Sequence, residues 1–404
     1  MPISTISWVA SLSGVLGSLP WAWHLLHLVR NRDQVVFLAE CSDECPEGGW
    51  PTLAVVFAAR DEATAVEQAT RSMLALDYPG LGVIAVDDRS ADATGTILDD
   101  LAREDVRLRV VHVEDLPSGW LGKTHALQAA SESTESRWIL FTDADVIYEP
   151  STLRRAVAFA EARRLDHLTA YPEVLGDSVG ERLFLGLFGL LFALNAPIGR
   201  VADVGSRAHA GVGAFNLVRA ESFRAIGGFR HLALSVDDDM RLAQALKFAG
   251  YRTRLVFGRD SVAVRWQVKL GGMVRGLEKN FFAALGFRLD KALVVAVGLV
   301  VIGVMPYLGV LVGPIWARVA CGLGVASIAA TLGAATRHSR ISWVYATLVP
   351  VATLFVMLAL IRSVVVTLRQ GGVRWRGHLY PIRELKAHIR ARDAWLREVW
   401  LSTR

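Results

Sequence analysis

From Thr52 to about Leu175, short continuous apolar runs alternate with amphipathic stretches of helical period. Leu53–Ala59 precedes Ala63–Leu76, Val83–Val86 precedes Ala91–Arg103, Leu108–Val113 precedes Lys123–Ala130, and Trp138–Thr142 precedes Ser151–Ala162. A run apolar at nearly every position fits a strand buried on both faces. Such strands alternating with helices predict an α/β fold, a Rossmann-like, mostly parallel sheet with helices on both sides.

Other apolar runs are too long for strands. Ile3 to Val29 carries no Asp, Glu, Lys or Arg, and it exceeds the about 20 apolar residues that a bilayer core requires. Without a basic start or a small-residue cleavage site it reads as a retained anchor, and Arg30 and Arg32 behind it put the adjoining domain in the cytoplasm. Ala292–Val312, Val319–Thr336 and Trp343–Leu368 are further candidate spans. If all of them cross, the basic tail carrying Arg369, Arg374, Arg376, Arg383, Lys386, Arg390 and Arg392 emerges on the wrong side for its charge. Pro306 and nearby glycines make the first of these stretches the one to be broken or re-entrant. Leu183–Ile198 is strongly apolar but short, and a buried core helix and an interfacial helix fit it equally. The expected organisation is an anchor at 1–30, a linker at 31–51, a catalytic domain at 52–289 with the interfacial candidate at 183–198, a membrane region at 290–368 and a basic juxtamembrane tail at 369–404.

Composition agrees: 52% hydrophobic residues and a mean hydropathy of +0.35 indicate that part of the chain lies in lipid, in the cell's inner membrane. The net charge of +5 does not point to nucleic acid, because the basic residues gather beside the last apolar stretch, where they meet lipid headgroups. Three cysteines form no disulfide framework, and Cys41 and Cys45 lack a second Cys/His pair for zinc.

The candidate chemistry lies at strand ends, where an α/β sheet binds polar ligands. Neither of the common glycine-rich phosphate loops is present, so a carboxylate-bound divalent cation is the natural phosphate holder. Asp143 and Asp145, just after Trp138–Thr142, suit Mg²⁺ or Mn²⁺, which prefer oxygen ligands and bridge substrate phosphates. Asp87 and Asp88 end the second strand, positioned for a ribose hydroxyl or a base N–H, though an Asx turn with Ser90 and Asp92 explains them equally. Ala59, Asp61 and Glu62 end the first strand in the same way, and Lys123 offers a cation near a helix start. Asp237, Asp238 and Asp239 precede a helix; three adjacent carboxylates exceed what a helix cap needs, and crowding raises at least one pKa, as a general base requires.

The ordered series Ala58-Ala59-Arg60-Asp61-Glu62, Val86-Asp87-Asp88-Arg89-Ser90-Ala91-Asp92, Gly122-Lys123, Asp143-Ala144-Asp145, Gly227-Gly228-Phe229 and Asp238-Asp239 resembles the family 2 glycosyltransferases of GT-A fold, over about Thr52 to Leu289. The segment Gly371 to Gly377, with Tyr380-Pro381, looks like the tail of membrane members that act on lipids such as carotenoids, hopanoids or ceramides. The resemblance implies inverting transfer of a sugar from a nucleotide-diphosphate donor, a UDP-sugar in the first instance, to a membrane lipid hydroxyl. It places Asp87 or Asp88 on the nucleoside, Asp145 on the metal, Asp143 on the metal or the adjacent ribose, and Asp239 as the base. Asp238 stands where the family usually has glutamate, which leaves the base open between the two. Arg265-Trp266 matches the end of the Gln-x-x-Arg-Trp signature of processive members, but Val262 replaces the Gln. That implies a single-sugar transfer, with Arg265 and Trp266 near the acceptor or phosphate. The rival readings are transfer to a polyprenyl phosphate and a non-catalytic scaffold or transporter.

Overall fold

The predicted strands form in order: Leu53–Ala59 (β1), Leu81–Asp88 (β2), Leu108–Val113 (β3) and Trp138–Asp143 (β4). They are followed by Val146–Tyr148 (β5), His167–Tyr171 (β6), Glu173–Val174 (β7), Asn216–Arg219 (β8), Thr253–Phe257 (β9) and Val262–Val264 (β10). The computed structural model describes residues 5–265, 269–339 and 341–403. Two compact units divide the chain: a catalytic unit of residues 35–175, 200–266 and 376 onward, and a membrane unit of the remainder.

In the catalytic unit, seven strands make one sheet in the order β3-β2-β1-β4-β8-β6-β9. β1 to β4 run parallel, whereas β8 is antiparallel to both of its neighbours, β4 and β6. Alternate residues of β1 feed opposite cores. Leu53, Val55 and Phe57 pack on one face with Trp138 and Leu140; Ala54 and Val56 pack on the other with Ile139 and Phe141. This is why those strands read as unbroken apolar runs. The second core also takes Leu242, Ala245 and Leu246 of the helix Asp238–Phe248 and Leu396 of the C-terminal helix Ile382–Ser402. The chain from Arg376 onward therefore packs as part of the catalytic unit, with His231 and Trp395 stacked at 4.3 Å. From the sequence, residues 369–404 are expected to be a basic juxtamembrane tail.

In the membrane unit, two helical stretches, Ile315–Ala335 and Trp343–Gln370, are long and apolar enough to cross a bilayer. A third candidate, Leu289–Gly303 with Met305–Val312, is bent by 42° just before Pro306, whose missing N–H breaks the helical ladder. The N-terminal helix Thr5–Arg30 is long enough, but Ser7, Ser11, Ser13, Ser18, Pro20, His24 and His27 dilute it, and it is not among the helices that also meet the apolarity requirement. Its hydroxyls are tied to carbonyls, Ser11 Oγ to Ser7 O at 2.6 Å and Ser18 Oγ to Gly14 O at 2.8 Å. Gly17 lets it approach the Val301 carbonyl so closely that a Cβ would lie 1.9 Å from that oxygen, the small-residue packing common between membrane helices. The apolar helix Val179–Asn195 packs in this same unit, with Gly186 against Ile341 and Leu332.

Candidate active site

Strand register brings the predicted acids together. Ala59 lies beside Asp87 across β1 and β2, and Ala58 lies beside Asp143 across β1 and β4, so the ends of three adjacent parallel strands open on one mouth. Ala59 is fully buried and forms its floor. The loops leaving β1 and β2 are laced to each other: Ala91 N donates to Asp61 Oδ1 at 2.8 Å, and Glu62 N donates to Thr94 Oγ1 at 2.8 Å. Asp61 holds a positive φ of 54°, a conformation that Asp tolerates better than most residues.

Asp87 and Asp88 are both buried but differ in role. Asp87 Oδ1 accepts from Ser90 N at 3.2 Å, the turn contact expected of it, while Oδ2 lies 3.1 Å from His112 Nδ1. His112 Nε2 in turn faces Asp99 Oδ1 at 3.0 Å. Hydrogen bonds to the two carboxylates raise the His112 pKa, which favours its charged form beside Asp87. Asp88 pairs with Arg89 at 2.8 Å and with Arg60 at 4.0 Å. It also presses on the start of the helix Gly122–Glu132, where a Cβ at position 122 would fall 2.0 Å from Asp88 Oδ2.

Lys123 joins the acidic groups. Its Nζ lies 2.7 Å from Asp143 Oδ1 and 3.4 Å from Asp238 Oδ2. Burial works against its charge, but Asp143, Asp238 and Asp239 outweigh it and raise its pKa. The cation expected to face a phosphate therefore balances the strand-end acids in this state. A second link runs through the loop before β8: Gly213 N donates to Asp239 Oδ2 at 2.8 Å, and a Cβ on Gly213 would lie 2.5 Å from Asp143 Oδ2. Met240 N donates to Asp239 Oδ1 at 2.7 Å.

Three of the acidic groups, Glu62, Asp145 and Asp239, carry raised pKa values. Burial is the main cause for both Asp145 and Asp239; Asp143 and Glu62 add to it for Asp145, and Asp238 adds to it for Asp239. Such crowding is the environment that a cation relieves. Among the described residues no group of three or more His, Cys, Asp and Glu side chains is arranged to enclose an ion. An Mg²⁺ or Mn²⁺ ion needs no such group, since its sites use one or two carboxylates, waters and substrate phosphates. Asp145 and Asp143 are the residues that would hold it.

Arg265 follows β10 and is exposed; Trp266 lies outside the described residues. Two contacts escaped the sequence reading. Arg376 donates to the Glu62 carboxylate, and Tyr380 is buried near Gly122, Arg89, Asp88 and Arg60. The only signal for either was the tail motif, and nothing local ties it to β1 or to the Lys123 helix.

Residues 54–224 match the family model described as glycosyl transferase family 2. A beta-monoglucosyldiacylglycerol synthase from Synechocystis sp. is 27% identical over 197 residues, which is 48% of this chain and 40% of that protein. The succinoglycan biosynthesis protein ExoO from Rhizobium meliloti is 32% identical over 112 residues, 28% of this chain and 30% of its own length. The chain thus spans less than half the length of these relatives. In structure it is similar to the mannosyltransferase PcManGT from Pyrobaculum calidifontis, solved with GDP-Man and Mn²⁺. That likeness has a TM-score of 0.53 at 16% identity, covers 88% of this chain and 98% of that one, and speaks for the fold alone. The matched segment, which runs from β1 to β8, is thus similar to glycosyl transferase family 2, and the parallel strands ending in paired acids give the catalytic unit a GT-A fold.

Proposed function

We propose that this protein transfers a single sugar, with inversion, from a nucleotide-diphosphate sugar to a hydroxyl of a membrane lipid at the cytoplasmic face. The observation that carries the reading is the juxtaposition of Asp143 with the Asp238-Asp239 pair, Lys123 contacting Asp143 and Asp238 on one side and Gly213 lying between Asp143 and Asp239 on the other. A donor-side acid and an acceptor-side acid then share one mouth. Asp87 or Asp88 holds the nucleoside. A divalent cation on Asp145 and Asp143 supplies charge neutralisation for the departing diphosphate. Lys123 keeps the strand-end acids compatible with an incoming anion, and Asp239 takes the proton from the acceptor hydroxyl. The relatives named for glucosyldiacylglycerol synthesis support a lipid acceptor, as does the membrane unit.

The test is incubation of the purified full-length protein with UDP- and GDP-sugars, Mg²⁺ or Mn²⁺ and a lipid extract, followed by mass spectrometry of the lipids. A new glycolipid is expected. The absence of both transfer and donor hydrolysis with every donor would overturn the reading.

Topology is constrained by where the chain leaves and re-enters the catalytic unit. A stretch that begins and ends in one folded body crosses the membrane an even number of times. Residues 176–199 contain one long helix, Val179–Asn195, so it lies in the interface or dips into one leaflet. Residues 267–375 return to the catalytic unit; two crossings, by Ile315–Ala335 and Trp343–Gln370, with the bent pair re-entrant instead of a broken span, satisfy that count. Cys45 is exposed in the catalytic unit, so an impermeant maleimide should spare it in intact cells and label it in inverted vesicles. Labelling in intact cells reverses the orientation.

A further inference from the structure

Glu62 follows the end of β1, where Ala59 lies beside Asp87 and Ala58 beside Asp143, so the carboxylates of Glu62, Asp143 and Asp145 gather at the same strand ends. Lys123 is committed to Asp143 and Asp238. If the donor is a dianionic diphosphate with a dication, those two charges cancel and the carboxylates stay unbalanced; the mouth needs a further cation on its outer side. Arg376 is already there. It donates to the Glu62 carboxylate, its Nη1 reaches Asp61 O at 3.5 Å, and its side chain is still 39% exposed. It sits at a tight turn, with φ 47° at Arg376 and 80° at Gly377. Four residues on, Tyr380 is 5% exposed and lies near Gly122 at the start of the Lys123 helix. The C-terminal helix behind it is anchored on the helix Asp238–Phe248, with Thr403 Oγ1 donating to Phe248 O at 3.0 Å. The segment 376–380 is thus a strap fixed at one end, holding a guanidinium against the acidic mouth.

Resting on the glycosyl-transfer reading, we infer that Arg376 is a donor-binding residue whose guanidinium contacts the donor's diphosphate while Glu62 orients it. A planar fork with several N–H donors can hold a carboxylate along one edge and a phosphate along another, which a lysine cannot do. A purely structural role explains the pair less well, since half-exposed ion pairs add little to stability.

Binding of UDP and of GDP, each with Mn²⁺, and of uridine and guanosine without phosphate, measured by calorimetry on the full-length protein in detergent, tests this. Arg376→Ala should weaken the nucleoside diphosphate about tenfold or more, as expected for a lost charged hydrogen bond, and leave the nucleoside unchanged. Arg376→Lys should recover part of the loss. Arg376→Gln, which keeps a polar stem, takes its place if the alanine variant does not fold. Diphosphate affinity equal to wild type overturns the assignment, and equal losses for nucleoside and diphosphate reduce Arg376 to a structural clamp. Either result leaves glycosyl transfer standing. A wild-type protein that binds neither diphosphate defeats both readings at once.

Discussion

Asp145→Ala should abolish sugar transfer while leaving the fold at least as stable as wild type near neutral pH. The raised pKa of Asp145 carries both expectations. Burial and the nearby Asp143 and Glu62 disfavour its charged form, so above that raised pKa the ionised carboxylate costs the folded state free energy that it does not cost the unfolded chain. Alanine removes that cost. It also removes a ligand from a site with few to spare, and a cation held by one or two carboxylates does not survive the loss of its main one. Melting curves give a readout independent of turnover: Mn²⁺ with UDP or GDP should raise the wild-type Tm and leave that of Asp145→Ala unmoved, because only a ligand that binds the native state stabilises it. Full wild-type activity in excess chelator would sink the idea of a metal at Asp145.

The parts of this site that were legible in the sequence are those fixed by strand geometry. Asp87, Asp88 and Asp143 each terminate an apolar run, and adjacent parallel strands in register bring such ends together without help from anything distant in the chain. The antiparallel β8 was not legible. Asn216–Arg219 is a short strand, and its place between β4 and β6 depends on pairing over long sequence separations. The glycines before it obey the same logic: Gly213 matters because Asp143 and Asp239 close on it from either side. Lys123 could be placed near a helix start, but its partner Asp143 lies 20 residues on, and spacing alone does not distinguish a carboxylate partner from a phosphate. Arg376 and Glu62 are 314 residues apart. His112 sits in β3, a strand that also carries Arg109, and nothing local announces that Asp87 and Asp99 will flank it.

Asp239→Asn should slow transfer by at least about a hundredfold, the usual size of general-base catalysis, with donor affinity close to wild type. Two features favour Asp239 over Asp238. Asp239 has its pKa raised, chiefly by burial and then by Asp238, which poises it to take a proton. Asp238 is buried with Lys123 Nζ 3.4 Å away, a setting that supports its neighbour through charge. Because Asp239 must be ionised to accept a proton, the wild-type rate should rise with pH through that raised pKa, above the ordinary carboxylate range, and this limb should vanish in Asp239→Asn. Both Asp239 oxygens accept backbone N–H bonds, from Gly213 and Met240. The asparagine has one oxygen for two donors, so a donor-binding measurement must accompany the rate: lost rate at unchanged nucleotide affinity isolates the chemical step. If Asp238→Asn is inactive and Asp239→Asn near wild type, the base is one residue upstream. If both variants stay active, no neutral hydroxyl is being deprotonated; the acceptor is then already an anion, and a polyprenyl phosphate replaces the lipid alcohol as the substrate.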